Sequence, residues 1–146
     1  MNVILIRCGP DGTSVSPVEA LPDDLAANCL LSADLYRRVG YVEPWVSYIA
    51  VADGIPVGGG AFVGPPKDGS VEIAYFTLPN HQRRGIAGQI AARLIEIARA
   101  EDPSIKLKAF TLMEENPSVR ILRQHGFVIA GTAQDADAGE VWEWRA

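Results

Sequence analysis

Basic residues are in short supply in this chain. Lys and Arg number 13 against 18 Asp and Glu, a net charge of -5. A generalised nucleic-acid surface would want a basic domain, so no nucleic-acid partner is expected. The acidic balance suits a cationic or amine-bearing ligand better. Cysteine is scarce too: Cys8 and Cys29 stand far apart in sequence and lack any CxxC context, so two buried thiols are expected rather than a disulfide. His81 and His125 are the two histidines, with no Cys or carboxylate cluster beside either, so no metal is expected. No run approaches the roughly 18 apolar residues of a membrane helix. The opening "MNVILIRC" is too short for a secretory apolar core. A cytoplasmic protein with no membrane partner is the expectation. Neither GxxxxGK[ST] nor GxGxxG occurs, which excludes the P-loop and the dinucleotide fingerprint. There is no repeat, low-complexity tract or interdomain linker.

What remains is a chain of 146 residues, 48% of them apolar. That length fits one domain, residues 1–146, with a core that needs no staples. "NVILIRC" reads as a strand stopped by "GPDG". "LPDDLAANCLLSADLYRRVG" reads as a helix. Pro22 suits its first turn, Asp23 and Asp24 its positive end, and Arg37, Arg38 and Gly40 its other end. "WVSYIAVADGIPVGGGAFVG" reads as a hairpin turning at "ADG". "SVEIAYFTL" has a long apolar stretch and suits the sheet centre. "IKLKAFTLM" is another strand. In "NPSVRILRQHG", Asn116 is the N-cap candidate, Pro117 takes the first helical position and Gly126 the stop. "FVIAGTA" and "EVWEWRA" close the chain as strands around a polar loop, "AQDADAG". The order β α β β β α β α β β predicts a mixed α/β sheet, mostly antiparallel, and not a doubly wound one.

The stretch "HQRRGIAGQIAARLIEIARA", residues 81–100, is unusual. Ile86, Ile90, Leu94 and Ile97 form an apolar helical stripe. Yet the helix begins behind two arginines and a glycine, where a basic residue opposes the macrodipole. Unpaired N–H groups at a helix start, with a preceding loop that can curl, make an anion-binding nest. Gly85 can take positive φ and lets an anion approach the backbone. Ala87 and Gly88 keep the first turn free of bulk. Gln82, Arg83 and Arg84 can add contacts to phosphate oxygens. A pyrophosphate would use the whole loop. The plain alternative is a helix cap whose arginines are solvated.

"QRRGIA", between a strand and a long helix, resembles the Q/R-x-x-G-x-G/A motif of the GNAT superfamily of N-acetyltransferases, with Gln82, Gly85 and Ala87 at its defining positions. "VEIAYFTLPNHQRRGIAGQIAARLI" looks like the family's fourth strand, pyrophosphate loop and following helix. "ENPSVRILRQHGFVIAG" looks like its next helix and C-terminal strand. Within the superfamily, the chain looks nearer the branch of ribosomal-protein N-terminal and small-molecule acetyltransferases. The resemblance implies a GNAT-like sheet and acetyl-CoA as cosubstrate. It implies that backbone N–H groups from Arg83 through Gly85, Ile86 and Ala87 to Gly88 hold the pyrophosphate. It also implies that Phe76 and Thr77 pair with the pantetheine amides as though these were a strand, and that Asn116 and Ser118 approach the pantetheine arm or its phosphate. Arg120 and Arg123 are further candidates for phosphate contact, set against plain solvation.

The chemistry so implied is acyl transfer to a primary amine of a small molecule or peptide. The amine must lose a proton, and Glu72 is the candidate base. A carboxylate inside "VEIAYF" would be partly desolvated and its pKa raised. Many family members carry a tyrosine in the helix before "GF"; the matching residue here is Leu122, which leaves the general acid unassigned. The spacing from Asn116 to Ser118 is one residue shorter than usual in that branch. Tyr75 should point to the sheet face opposite Glu72 and is read as core. Trp142 and Trp144 share a strand face and suit core or a homodimer contact. Tyr36, Tyr41 and Trp45 are candidates to line the acceptor pocket. The competing readings are a protein N-terminal acetyltransferase, an acyl-CoA-binding regulatory domain without turnover, and a nucleotide-binding protein taking ATP or NAD without preferring CoA.

Overall fold

The computed structural model describes residues 2–14 and 21–146. In chain order the elements are β1 (Val3–Arg7), α1 (Asp23–Val39), β2 (Ser47–Ala52), β3 (Ile55–Phe62), β4 (Ser70–Thr77), α2 (Ile86–Glu101), β5 (Lys106–Thr111), α3 (Pro117–Gln124), β6 (Val128–Asp135) and β7 (Gly139–Arg145). This is the order expected from the sequence. The seven strands form one sheet in the order β1-β2-β3-β4-β5-β7-β6, which puts β4 at its centre. Neighbours run antiparallel except β4 and β5. The fold is a mixed, mostly antiparallel α/β sheet flanked by helices.

Local chemistry explains the boundaries. Asp23 and Asp24 open α1 and Arg37 and Arg38 close it, each sign placed where the helix dipole favours it. Pro22 sits at the N-cap, in extended geometry, just ahead of the first turn. The β2–β3 turn places Asp53 at φ 51° and Gly54 at φ 78°, the paired left-handed geometry of a two-residue hairpin loop. Asn116 Oδ1 accepts the Val119 N–H at 2.9 Å, which caps α3. Replacing Asn116 by Ala is expected to cost about 1 kcal/mol, read as a lower urea midpoint, with Asn116→Ser recovering most of it. The polar loop is shorter than the sequence suggests. β6 runs on to Asp135, whose carboxylate accepts the N–H groups of Asp137 and Ala138 at 2.9 Å and tightens the turn.

Every residue of β2 is buried, because helices cover both faces of the sheet there. Ile49 and Val51 pack with Leu25 and Cys29 of α1, Cys8 and Leu78. Tyr48, Ala50 and Ala52 face the larger core with Ile86, Ile90 and Leu94 of α2 and Val119 and Leu122 of α3. Cys8 and Cys29 are free, buried thiols, as expected, and their sulfurs lie 3.9 Å apart. The α2 stripe differs in one place: Ala91 and Ala98 are buried while Ile97 is only half-buried. Trp144 is core, its Nε1 donating to Thr111 Oγ1 at 2.8 Å.

Gly60 lets α2 press close to the sheet. A Cβ there would stand 2.7 Å from Ile90 Cγ2 and 3.1 Å from Leu94 Cδ1, both on fully buried side chains. Gly60→Ala should therefore cost about 1–3 kcal/mol through overpacking. A melting temperature equal to that of the parent chain would refute this account of the α2 contact.

Candidate active site

β4 and β5 begin as partners and then separate. They pair at Ser70↔Lys106, Val71↔Leu107 and Glu72↔Lys108, and the pairing stops there. Beyond that point β4 stays with β3 as far as Gly58↔Thr77. β5 stays with β7 as far as Thr111↔Trp142. The two half-sheets thus diverge after Glu72. Beyond Glu72 the edge of β4 that faces β5 has no strand partner among the described residues, so the backbone groups of Ile73 and Tyr75 and the N–H of Thr77 are available to a ligand, whereas Ala74 and Phe76 turn theirs to β3.

A cavity of about 110 Å³ fills the start of this gap. Glu72, Ile73, Ala74 and Tyr75 line it from β4, Ala109, Phe110 and Thr111 from β5, and Ser118 and Leu122 from α3. Glu72 is half-buried. Its neighbours Val71 and Ile73 point into the α2 core, so its own side chain lies on the opposite face. Burial pushes its carboxyl above the ordinary glutamate range. The Lys108 ammonium works against that, and the Asp135 and Glu143 carboxylates add to it. Cross-strand pairing puts Lys108 on the same face as Glu72, and Glu143 beside Phe110.

A larger cleft, about 830 Å³, lies at the N-terminus of α2. That volume suits a nucleotide-sized ligand. Tyr75, Phe76 and Thr77 line it from β4. His81, Gln82, Arg83 and Gly85 line it from the loop, Ile86, Ala87 and Gly88 from α2, and Asn116, Pro117, Ser118, Arg120, Ile121 and Gln124 from the other wall. The cleft therefore gathers all but two of the cofactor-binding candidates. The exceptions are Arg84, which is exposed, and Arg123; both lie outside the lining.

The loop has the backbone of an anion cradle. Gly85 caps α2 at φ 74°, and Arg83 also adopts positive φ, at 67°. An arginine in that conformation costs about 1 kcal/mol or more. No side chain among the described residues caps α2, and its first turn carries no acidic residue, so its N–H groups and dipole face the cleft. Cβ atoms built on Gly85 or Gly88 would meet nothing within 4 Å, so the approach is open. Gln82 is committed locally: its Nε2 donates to the Thr77 carbonyl at 3.2 Å, which ties the loop to the end of β4. Thr77 Oγ1 and His81 Nδ1 are buried in this wall and have no hydrogen-bond partner among the described residues, a condition that a bound polar ligand would relieve. The residues present thus fit a pyrophosphate-bearing cofactor with an amide-containing arm. No metal-binding group of three or more His, Cys, Asp or Glu occurs among the described residues.

The structure separates other candidates. Arg120 lines the cleft. Arg123 does not: its guanidinium bonds Glu115 at 2.8 Å and lies 5.5 Å over the Trp144 ring. Tyr36 and Trp45 are buried. The Tyr36 hydroxyl accepts the Ser47 N–H at 2.7 Å, and Tyr41 donates to the Cys8 carbonyl at 2.6 Å. None of the three lines the gap or the cleft. Tyr75, read from the sequence as core, is also a lining residue of both cavities, with its hydroxyl 3.5 Å from the Ser118 carbonyl oxygen. Its parity along the strand is as expected; what sequence could not show is that its side chain borders both cavities.

The same architecture occurs in solved acetyltransferases. RimL, a ribosomal L7/L12 alpha-N-protein acetyltransferase in complex with coenzyme A, is 15% identical with a TM-score of 0.70, the match covering 100% of this chain and 94% of that one. An IAA acetyltransferase from Bacillus cereus ATCC 14579 is 19% identical at TM-score 0.67, covering 99% and 98%. The microcin C7 self-immunity acetyltransferase MccE, in complex with acetyl-CoA and AMP, is 15% identical at TM-score 0.65, covering 84% and 69%. No curated protein matches the sequence. These likenesses establish the fold. Residues 19–127 match the model of the acetyltransferase (GNAT) family, three quarters of the chain and all of the gap, loop and cleft up to Phe127. The chain therefore belongs to the GNAT family and is an acetyl-CoA-dependent acetyltransferase.

Proposed function

We propose that residues 1–146 form a single catalytic domain that transfers the acetyl group of acetyl-CoA to a primary amine of a small molecule or peptide. The observation that carries this reading is the parting of β4 from β5 immediately after Glu72, with the cleft at the α2 N-terminus running into the gap. Acetyl-CoA supplies the acyl thioester. The backbone N–H groups from Arg83 to Gly88 hold the pyrophosphate, with Arg120 beside them. The free edge of β4 at Tyr75 and Thr77 aligns the pantetheine amides, the backbone of Phe76 between them being turned to β3, and Asn116 and Ser118 flank the arm. Glu72, across the gap, takes a proton from the ammonium so that the amine can attack. Unpaired N–H groups along the same edge of β4 stabilise the developing oxyanion. Asp135 and Glu143, which raise the Glu72 pKa, favour approach of a cationic amine.

No helix among the described residues is long and apolar enough to cross a membrane. The reading places the enzyme in the cytoplasm, where Cys8 and Cys29 would stay reduced.

Calorimetric titration with acetyl-CoA, beside ATP and NAD, tests the cofactor assignment. Saturable binding of acetyl-CoA alone is expected. An amine screen with thiol detection then tests turnover. Binding without thiol release across small amines and peptides would favour a regulatory acyl-CoA-binding domain, and absence of binding would refute the assignment.

A further inference from the structure

Leu122 of α3 is buried, lines the gap, and has no proton to give. Acyl transfer nonetheless expels a thiolate. Its sulfur must lie where the cleft that takes the cofactor meets the gap that takes the amine. Among the described residues, Tyr75 and Ser118 alone line both cavities. The Tyr75 hydroxyl stands at that junction with a single long contact, 3.5 Å to the Ser118 carbonyl oxygen. At that distance the contact is at the limit of a hydrogen bond, so the O–H remains available to a closer acceptor.

We infer that Tyr75 is a catalytic residue of this enzyme, its hydroxyl donating a hydrogen bond to the thioester sulfur as the C–S bond breaks. The inference rests on the acetyltransferase reading above and adds the residue that stabilises the leaving group. The balance is simple. The ammonium sheds two protons in all: Glu72 takes the first and passes it to solvent, nitrogen then forms its bond to the acyl carbon, and Glu72 takes the second from that nitrogen. The electrons of the C–S bond stay on sulfur, and the CoA leaves as a thiolate that later takes a proton from water.

Tyr75 keeps its own proton throughout. Burial pushes its hydroxyl up to about 12, whereas an ordinary thiol titrates near pH 8–9, about 8.5 for cysteine. Full transfer from tyrosine to thiolate would therefore run uphill. A hydrogen bond to the thiolate has no such cost, and one to a charged acceptor is among the stronger kind. The role is thus that of a donor to sulfur and not of a proton source.

The test reads the sulfur directly. Coenzyme A is bound to the wild-type chain and to Tyr75→Phe, and the ultraviolet absorbance of the thiolate is followed against pH. Phe preserves the ring, so the variant should fold and bind. In the wild type the bound thiol should ionise about one pH unit below free CoA, a tenfold shift. In Tyr75→Phe that shift should vanish, with acetyl-CoA affinity unchanged and kcat about tenfold lower or more. Equal thiol titration in both proteins would overturn the role of Tyr75 while leaving the cofactor site intact. Failure of CoA to bind the wild type would overturn the acetyltransferase reading itself, and this role with it.

Discussion

Glu72→Gln is expected to lower kcat by about a hundredfold or more while leaving the acetyl-CoA dissociation constant unchanged. A positioned general base contributes about 10²–10⁴ in rate, and Glu72 lines the gap but not the cofactor cleft. Its raised pKa fixes the pH behaviour. The carboxylate must be ionised to act, so kcat/KM of the parent enzyme should fall with decreasing pH through a midpoint above the ordinary glutamate value of about 4.3. The glutamine variant should lack that limb. Stability should move the other way. A carboxyl whose pKa is higher folded than unfolded favours the protonated fold, so its ionisation destabilises the protein as pH rises from the unfolded value through the folded one. Glu72→Gln should therefore melt higher than the parent at pH 7, and the difference should disappear below about pH 4. Unchanged kcat with a normal acid limb would remove Glu72 from the chemistry. Weakened acetyl-CoA binding would mean it does a different job.

These expectations depend on how much of the site can be read along the chain. Signals that act within a few residues are legible. Asn116, Pro117 and Gly126 mark α3, and the acidic start and basic end of α1 mark that helix. The loop from Gln82 to Gly88 is legible for the same reason, since a glycine at positive φ before a helix is a local demand. Separation of β4 from β5 is not local. It arises because β3 holds one strand and β7 the other, through pairings remote in sequence. Arg120 and Arg123 show the same limit on a single helix. They sit three residues apart, and only Glu115 and Trp144 decide that Arg123 is occupied while Arg120 faces the cleft. The thiols of Cys8 and Cys29 meet because α1 folds back over β1, which no spacing rule announces. Only the far end of β6, Gln134 and Asp135, escapes reading, and for another reason. β6 is an edge strand with little buried on either face, so it has no alternation to mark where it ends.

Gly85→Ala should weaken acetyl-CoA binding by about ten- to a hundredfold, and a matched variant separates that effect from strain. Gly69 precedes β4 at φ 75°, almost the φ 74° of Gly85, and a Cβ at either position would meet nothing within 4 Å. Alanine at each must hold a left-handed backbone, so each should lose about 1–2 kcal/mol of stability. Gly85 caps α2 as well, which adds roughly 0.5–1 kcal/mol. The two sites differ in what their backbones face. Gly85 lines the cleft and Gly69 does not. At Gly85 the added methyl enters the space through which an anion reaches the N–H groups of α2, and each 1.4 kcal/mol of lost contact is about tenfold in affinity. Gly69→Ala should bind acetyl-CoA as the parent does. If both variants lose affinity alike, strain is the common cause and the loop is only a helix cap. If neither loses affinity, the pyrophosphate lies elsewhere. Loss confined to Gly85→Ala locates the anion at the start of α2, and the basic, glycine-rich opening of that helix then has its physical reason.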